Sequence, residues 1–132
     1  MEVEPGKMKI KDQKPHRNLV AWQKGMEIVI EVYKLTQDFP DRELYGLSAQ
    51  LRRAAISPSN IAEGAADRTP SQFSHSLSHA LGSLNELDTQ LELSHRLGYL
   101  PENKYNHISK LLDECLALTY GLRKSIINKK NR

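Results

Sequence analysis

The connection "GYLP", from Gly98 to Pro101, constrains the fold more than any other feature of the sequence. It separates two segments in which apolar residues recur every three or four positions, the pattern of an amphipathic helix. Gly98 is typical of a helix C-terminus and Pro101 of a helix start. Because so short a link cannot cross over a bundle, the two helices must run antiparallel and pack side by side.

Two more segments with helical periodicity precede this pair. The first covers about residues 19–38 and must end before Pro40, since proline disfavours a helical conformation in the preceding residue. The second covers about residues 42–66. After it, Thr69 suits the N-cap of a third helix and Pro70 its first position. The sequence therefore predicts four helices separated by short breaks.

Four helices with short connections, and no segment of strand periodicity, predict an all-α fold, an up-and-down antiparallel four-helix bundle. We assign the bundle to residues 18–128, with a flexible basic arm over 1–17 and a basic tail over 129–132. Proline inside a helix removes one backbone hydrogen bond. We therefore expect the second helix to be kinked near Pro58.

The first helix carries apolar residues on more than one face, so its buried face has to be chosen. We expect its core stripe to consist of Leu19, Trp22, Met26, Val29, Ile30 and Tyr33. The residues of a second apolar strip are candidates for an oligomer interface: Ile28, Val32, Leu35, Leu93 and Leu97. Contiguous exposed apolar surface usually marks an interface, which favours self-association. A broad core stripe at a crowded bundle corner is the alternative.

Cysteine content and hydropathy indicate a cytoplasmic protein. The single cysteine, Cys115, permits no internal disulfide and is typical of a reducing compartment. The N-terminal segment lacks the apolar stretch of a signal peptide, and no apolar run approaches the ~20 residues that a membrane span requires. We therefore expect no membrane partner.

The net charge of +3 is concentrated at the two ends of the chain. Residues 19–122 carry nine Lys or Arg against thirteen Asp or Glu, whereas residues 123–132 carry five basic residues and no acidic one. Basic ends of this kind contact polyanions in many proteins, although they also serve as solvated tails. The candidate nucleic-acid-binding residues are Arg123, Lys124, Lys129, Lys130, Arg132, Lys7, Lys9, Lys11 and Lys14.

No residue pattern indicates an enzyme, a cofactor or a metal centre. A di-iron bundle needs Glu-x-x-His motifs on two helices, and this chain has one match, Glu92 with His95. His75 and His79 are four residues apart but fall away from the core stripe, which is typical of exposed histidines. Cys115 falls inside the core stripe of the fourth helix, where a thiol is usually inert. We expect no catalytic residue, no metal and no cofactor.

The stretch "LRRAAISPSNIAEG" combines polar residues with small ones on the second helix. Small residues let a neighbouring helix approach closely, and long polar side chains can reach adjacent helices or subunits. This pattern favours packing and interface roles for Arg52, Arg53, Asn60, Glu63 and Gly64. If Glu63 has such a role, its substitution by alanine should disturb folding or assembly.

Several motifs together resemble the four-helix bundle proteins encoded in intervening sequences of bacterial 23S ribosomal RNA genes. The resemblance covers about residues 18–125. The motifs are aromatic-Gln, F-P, E-x-Y-G-L, Q-x-R-R-A, N-I-A-E-G, G-S-x-x-E and L-G-Y, at Trp22–Gln23, Phe39–Pro40, Glu43–Leu47, Gln50–Ala54, Asn60–Gly64, Gly82–Glu86 and Leu97–Tyr99. One apolar residue of the family pattern is missing between Ser57 and Pro58, and a missing residue rotates the following helix by about 100°.

The resemblance implies a bundle that forms ring-like homo-oligomers, pentamers in similar proteins. The chain is also similar to the accessory proteins of diversity-generating retroelements, basic pentameric barrels that contact a reverse transcriptase and nucleic acid. We therefore expect a non-enzymatic oligomer that binds RNA or DNA through its basic termini. The alternative is a structural or protein-interaction scaffold without nucleic-acid contact. Deleting residues 123–132 should abolish polyanion binding and leave the oligomer intact.

Overall fold

The computed structural model describes residues 14–66 and 69–130 and is all-helical over these residues. The predicted four-helix bundle is confirmed, with two consecutive helices, α2 and α3, forming its second member. Short 3-10 turns cover Pro15–Asn18 and Asp41–Glu43. The helices are α1 (Val20–Thr36), α2 (Leu47–Ala54), α3 (Ser57–Ala66), α4 (Pro70–Arg96) and α5 (Glu102–Lys130).

The ends of α4 follow the local sequence closely. The Thr69 side-chain oxygen accepts a hydrogen bond from the Gln72 amide at 3.2 Å, as expected of an N-cap. After the helix, Gly98 has a φ of 81°, a left-handed conformation that glycine adopts without strain. The His95 ring then donates through Nδ1 to the Leu100 carbonyl at 2.9 Å. These contacts fix the tight turn that returns the chain antiparallel into α5.

The second member of the bundle is broken at Ala55–Ile56, just before Pro58. The α2 helix ends at Ala54, and Pro58 takes the second position of α3, where a missing amide hydrogen costs no helical hydrogen bond. The predicted kink is therefore confirmed as a break between two helices. The one-residue gap relative to the family pattern lies beside this break.

Two clusters of buried side chains hold the bundle together. The larger one, here called the main core, runs from Phe39 and Leu100 at one end of the bundle to Cys115. The smaller one, the end core, joins the start of α1 to α3, the start of α4 and the end of α5, and consists of Ala21, Ile61, Leu77, Ala80 and Ile126. The two long helices, α4 and α5, contribute side chains to both clusters.

The predicted core face of the first helix is right for three of its six residues, since Leu19, Trp22 and Val29 pack against the cores, and wrong for the other three. Met26, Ile30 and Tyr33 are 39%, 51% and 46% exposed, whereas three residues assigned to an oligomer interface line the core: Ile28, Val32 and Leu35. A close contact at Gly25 explains which face of α1 is buried, because a Cβ atom at Gly25 would lie 2.8 Å from Pro58 Cγ. Close approach of α3 to Gly25 turns the face that contains Ile28 and Val32 inward.

The other two interface candidates, Leu93 and Leu97, remain about half exposed on α4 and in the turn that follows. They stay available for contact with another molecule. Within residues 14–66 and 69–130, none of the helices combines the length and the apolar character that crossing a membrane requires.

Candidate nucleic-acid interface

Basic side chains converge on the end of the bundle that contains the end core. The antiparallel topology brings the start of α1, all of α3, the start of α4 and the end of α5 to this end. We call it the basic end and define it as residues 14–23, 57–66, 69–83 and 119–129. Over these described residues it carries one carboxylate, Glu63, and five cationic side chains: Lys14, Arg17, Arg123, Lys124 and Lys129.

The remainder of the bundle has the opposite charge balance. Residues 24–56 and 84–118 together carry eleven Asp or Glu and eight Lys or Arg. Several of these charges are paired, including Lys104 with Asp38 at 3.6 Å and Lys24 with Glu114 at 3.4 Å. The molecule is therefore polarised along its long axis, with its excess positive charge at one end.

The cationic groups of α5 differ in their contacts and in their exposure. Arg123 donates through Nε to the Ser78 hydroxyl at 2.9 Å, which fixes its guanidinium against α4. Lys124 and Lys129 are exposed and line a shallow surface concavity of about 320 Å³ together with Ser125 and Asn128. One oriented guanidinium beside two exposed ammonium groups suits contact with a chain of phosphates.

The segment before α1 adds a second group of cations. The Arg17 guanidinium lies over the Trp22 ring at 5.5 Å, and the His16 ring meets the edge of the same indole. Gln23 Nε2 donates to the Arg17 carbonyl at 2.8 Å. Residues 14–17, which the sequence assigned to the arm, thus pack against the bundle, with Lys14 exposed beside them.

Four of the nine predicted nucleic-acid-binding side chains belong to the basic end: Lys14, Arg123, Lys124 and Lys129. Lys130 is the last residue of α5, and its side chain, like Lys7, Lys9, Lys11 and Arg132, lies outside the described part of the chain. Sequence reasoning did not single out Arg17. The topology places Arg17 in the basic end, because antiparallel helices bring the start of α1 beside the end of α5.

Five residues of the second member of the bundle were assigned packing or interface roles, here called the signature residues. Two of them, Arg52 and Gly64, pack against neighbouring helices. Arg52 donates through Nε to the Thr36 hydroxyl at 3.0 Å and places its guanidinium 5.2 Å from the Tyr33 ring centre. It thereby joins α2 to α1. A Cβ atom on Gly64 would lie 2.7 Å from Ser76 Cβ, so glycine is what lets α3 meet α4.

The other signature residues lie nearer the surface. Arg53 and Glu63 are exposed, and Asn60 is partly buried. Their predicted interface roles stay predictions. The packing of Arg52 and Gly64 against neighbouring helices explains only two of these five residues.

Glu92 and His95, weighed as half of a di-iron motif, contact different partners in the fold. Glu92 pairs with Arg96 at 3.0 Å, while the His95 ring stacks on Tyr105 in the first turn of α5. Among the described residues, no group of three or more His, Cys, Asp or Glu side chains is placed to hold a metal ion. Burial raises the pKa of the Cys115 thiol, which keeps it protonated and unreactive at neutral pH.

The bundle also exposes apolar side chains on two neighbouring helices. Ile30 of α1 and Leu111 of α5 line one surface concavity of about 320 Å³, with Glu27, Glu31 and His107 at its rim. Met26 and Tyr33 lie on the same exposed face of α1 as Ile30, at helical spacing. We call Met26, Ile30 and Tyr33 the α1 apolar face.

These features define a class: a small all-α protein built as a four-helix bundle with a basic end. Within this class, the chain belongs to the 23S rRNA-intervening sequence protein family, whose model matches residues 17–121. The resemblance inferred from the motifs is confirmed. The match includes the α2–α3 break and all of the end core except Ile126.

Among solved structures, the chain is similar to a protein of unknown function from the S23 ribosomal protein family of Bacteroides thetaiotaomicron. The two share 24% sequence identity and superpose with a TM-score of 0.73, over 80% of this chain and 96% of the other. This likeness establishes the fold. No curated protein matches the chain.

Proposed function

We propose that the protein is a non-enzymatic, cytoplasmic accessory factor that self-associates and binds RNA or DNA through its basic end. The observation that carries the proposal is the separation of charge along the bundle. Five cations and one carboxylate occupy the described part of the basic end, while acidic residues predominate over residues 24–56 and 84–118. Such a field orients the basic end toward a polyanion.

Binding would rest on phosphate neutralisation. Each Lys or Arg that contacts a phosphate displaces a condensed counterion, so the logarithm of the binding constant falls with the logarithm of salt concentration by about 0.9 per contact. Contacts of this kind set orientation and carry no base specificity. The cations of the basic end would therefore bind nucleic acid tightly at low salt and weakly at high salt.

Self-association would multiply this effect. We propose a homo-oligomer, a pentamer as the family resemblance implies, in which several basic ends act on one nucleic acid. Support comes from apolar side chains left exposed by the bundle, namely the α1 apolar face together with Leu93 and Leu97. Large apolar patches on a folded protein usually mark an interface.

The direct test is a titration of labelled structured RNA and duplex DNA at increasing salt, with the assembly state of the same samples read by light scattering. The proposal expects an oligomer that binds both nucleic acids, with an affinity that falls steeply and linearly on logarithmic axes. An absence of binding at low salt would contradict nucleic-acid binding, and a monomer would contradict self-association.

Truncation of residues 123–132 would test the proposal poorly. Ile126 is 9% exposed and belongs to the end core, so the deletion would remove buried apolar surface along with the charges. Substituting the exposed cations keeps α5 and the end core intact. Glutamine is suited to this purpose because it retains helix propensity and removes the charge.

A protein-interaction scaffold without nucleic-acid contact is the second candidate. The observation in its favour is the α1 apolar face, which lies next to carboxylates at Glu27 and Glu31 rather than next to the basic end. The salt titration of nucleic-acid binding separates the two candidates, and replacing Ile30 by Ser tests which partner the α1 apolar face serves. If the face serves self-association, the variant should lose the oligomer, whereas a scaffold for another protein should keep it.

A further inference from the structure

Two histidines lie in contact on the exposed side of α4. His75 and His79 lie four residues apart, and their Nε2 atoms are 3.1 Å from each other. The ring planes are nearly perpendicular, at 84°, with centroids 4.6 Å apart. The two Nε2 atoms are within hydrogen-bonding distance of each other, so both nitrogens are close enough to reach one ion.

The separation of these nitrogens matches that of two imidazoles bound to one metal ion. Zinc–nitrogen bonds of 2.0–2.1 Å place two nitrogens about 2.9 Å apart at a right angle and about 3.3 Å apart at the tetrahedral angle. The observed 3.1 Å lies between these values. We propose that His75 and His79 chelate a divalent transition-metal ion of the zinc, nickel and copper class.

The surroundings leave room for such an ion. His75, His79 and Glu86 line a surface concavity of about 350 Å³ together with Ser78, Gly82 and Ser83. A Cβ atom on Gly82 would meet nothing within 4 Å, so the site is open to solvent on that side. Water would complete the coordination shell of an ion held by two side chains, which makes it exchangeable.

The local charges act in opposite directions on a bound cation. The Glu86 carboxylate lies in the same concavity and accepts a hydrogen bond from Gln90 at 3.1 Å, and its charge favours the ion. Arg123 opposes it, because its guanidinium donates to Ser78 beside the histidines. The two imidazoles supply the bonds, and imidazole nitrogen selects zinc, nickel and copper over magnesium and calcium.

The test is calorimetric titration of the untagged full chain with Zn²⁺, and with Mg²⁺ as the hard-ion control. We expect saturable binding of Zn²⁺ and none of Mg²⁺. His75→Gln and His79→Gln should each weaken Zn²⁺ binding about tenfold or more, equivalent to at least about 1.4 kcal/mol. Lowering the pH should weaken it further, because only unprotonated imidazole binds the metal.

The matched control is His107→Gln, since His107 is an exposed histidine on α5 that is remote from the pair in sequence and belongs to another concavity. This variant should bind Zn²⁺ as the unaltered chain does. Zinc should also raise the melting temperature of the unaltered chain and fail to do so in the His79→Gln variant. Non-saturable binding, or binding unchanged in both pair variants, would overturn the proposal. It stands independently of the nucleic-acid interface.

Discussion

Individual residues set how closely the helices approach. Gly64 lies where α3 meets α4, and Gly25 lies where α1 meets Pro58 of α3. Glycine lowers helix stability through its backbone entropy, so its presence in two helices needs a steric reason. That reason is absent at Gly82, where an added Cβ would meet nothing within 4 Å.

Substitution of Gly64 by alanine should destabilise the fold, because the new Cβ would lie 2.7 Å from Ser76 Cβ and 2.9 Å from Phe73 Cδ1. Overpacking of this kind costs about 1–3 kcal/mol, of which alanine's helix propensity recovers up to about 1 kcal/mol. Denaturant unfolding measures the loss. The matched variant Gly82→Ala should stabilise by about 0.5–1 kcal/mol, and equal effects at the two sites would refute the packing role of Gly64.

Asp88 is an acidic residue in an unfavourable position. Its pKa is raised by partial burial, and further by the neighbouring carboxylates of Asp113 and Glu92. A carboxyl with a raised pKa in the folded state adds stability at acid pH, and this contribution is lost as the pH rises through the folded-state pKa. The ionised Asp88 thus destabilises the protein at neutral pH.

Asp88→Asn should therefore raise the free energy of unfolding at neutral pH by a few tenths of a kcal/mol, the size of an exposed like-charge contact. The gain should disappear at pH values below the ordinary aspartate pKa. Chemical unfolding across this pH range tests the sign. In the double variant with Asp113→Asn, the gains should fall short of additivity; strictly additive gains would mean that the two carboxylates do not interact.

The sequence predicts the ends and the buried faces of α4 and α5 better than it predicts the buried face of α1. The caps at Thr69 and Gly98 and the core stripes of both long helices follow from local patterns. The buried face of α1 does not, because apolar residues occur on two of its faces and hydropathy cannot rank them. Contact between Gly25 and Pro58, thirty-three positions apart in the chain, makes the choice.

The junction of α1 with α2 depends on Arg52 rather than on its neighbour Arg53. Arg52 bonds Thr36 and lies over Tyr33, whereas Arg53 is exposed. Arg52→Ala should cost about 2–4 kcal/mol of stability, the sum of a hydrogen bond with a charged partner and an exposed cation–π contact. Arg53→Ala should change stability by less than about 0.5 kcal/mol. Thermal unfolding of both variants distinguishes them, and equal losses would show that the Thr36 contact is not stabilising.

The whole molecule is polarised, and this property emerges only when the chain is folded. The sequence locates basic residues near both chain ends, and this part of the candidate site was predictable. It does not reveal that Arg17 and Lys14 share one end of the bundle with Arg123, nor that the acidic residues are concentrated away from that end. Those facts depend on the antiparallel pairing that the end core fixes. The family match and the similar crystal structure establish the bundle that creates this arrangement.

The affinity for nucleic acid should depend on the cations of the basic end rather than on the total charge of the protein. A direct test compares the RNA affinity of two triple variants that each lose three positive charges. One carries Gln at Arg123, Lys124 and Lys129, and the other carries Gln at Lys34, Lys104 and Lys110, outside the basic end. The basic-end variant should lose most of its affinity and show a salt dependence about 2–3 units shallower. The control should bind almost as tightly as the unaltered chain, and equal losses in the two variants would contradict the account.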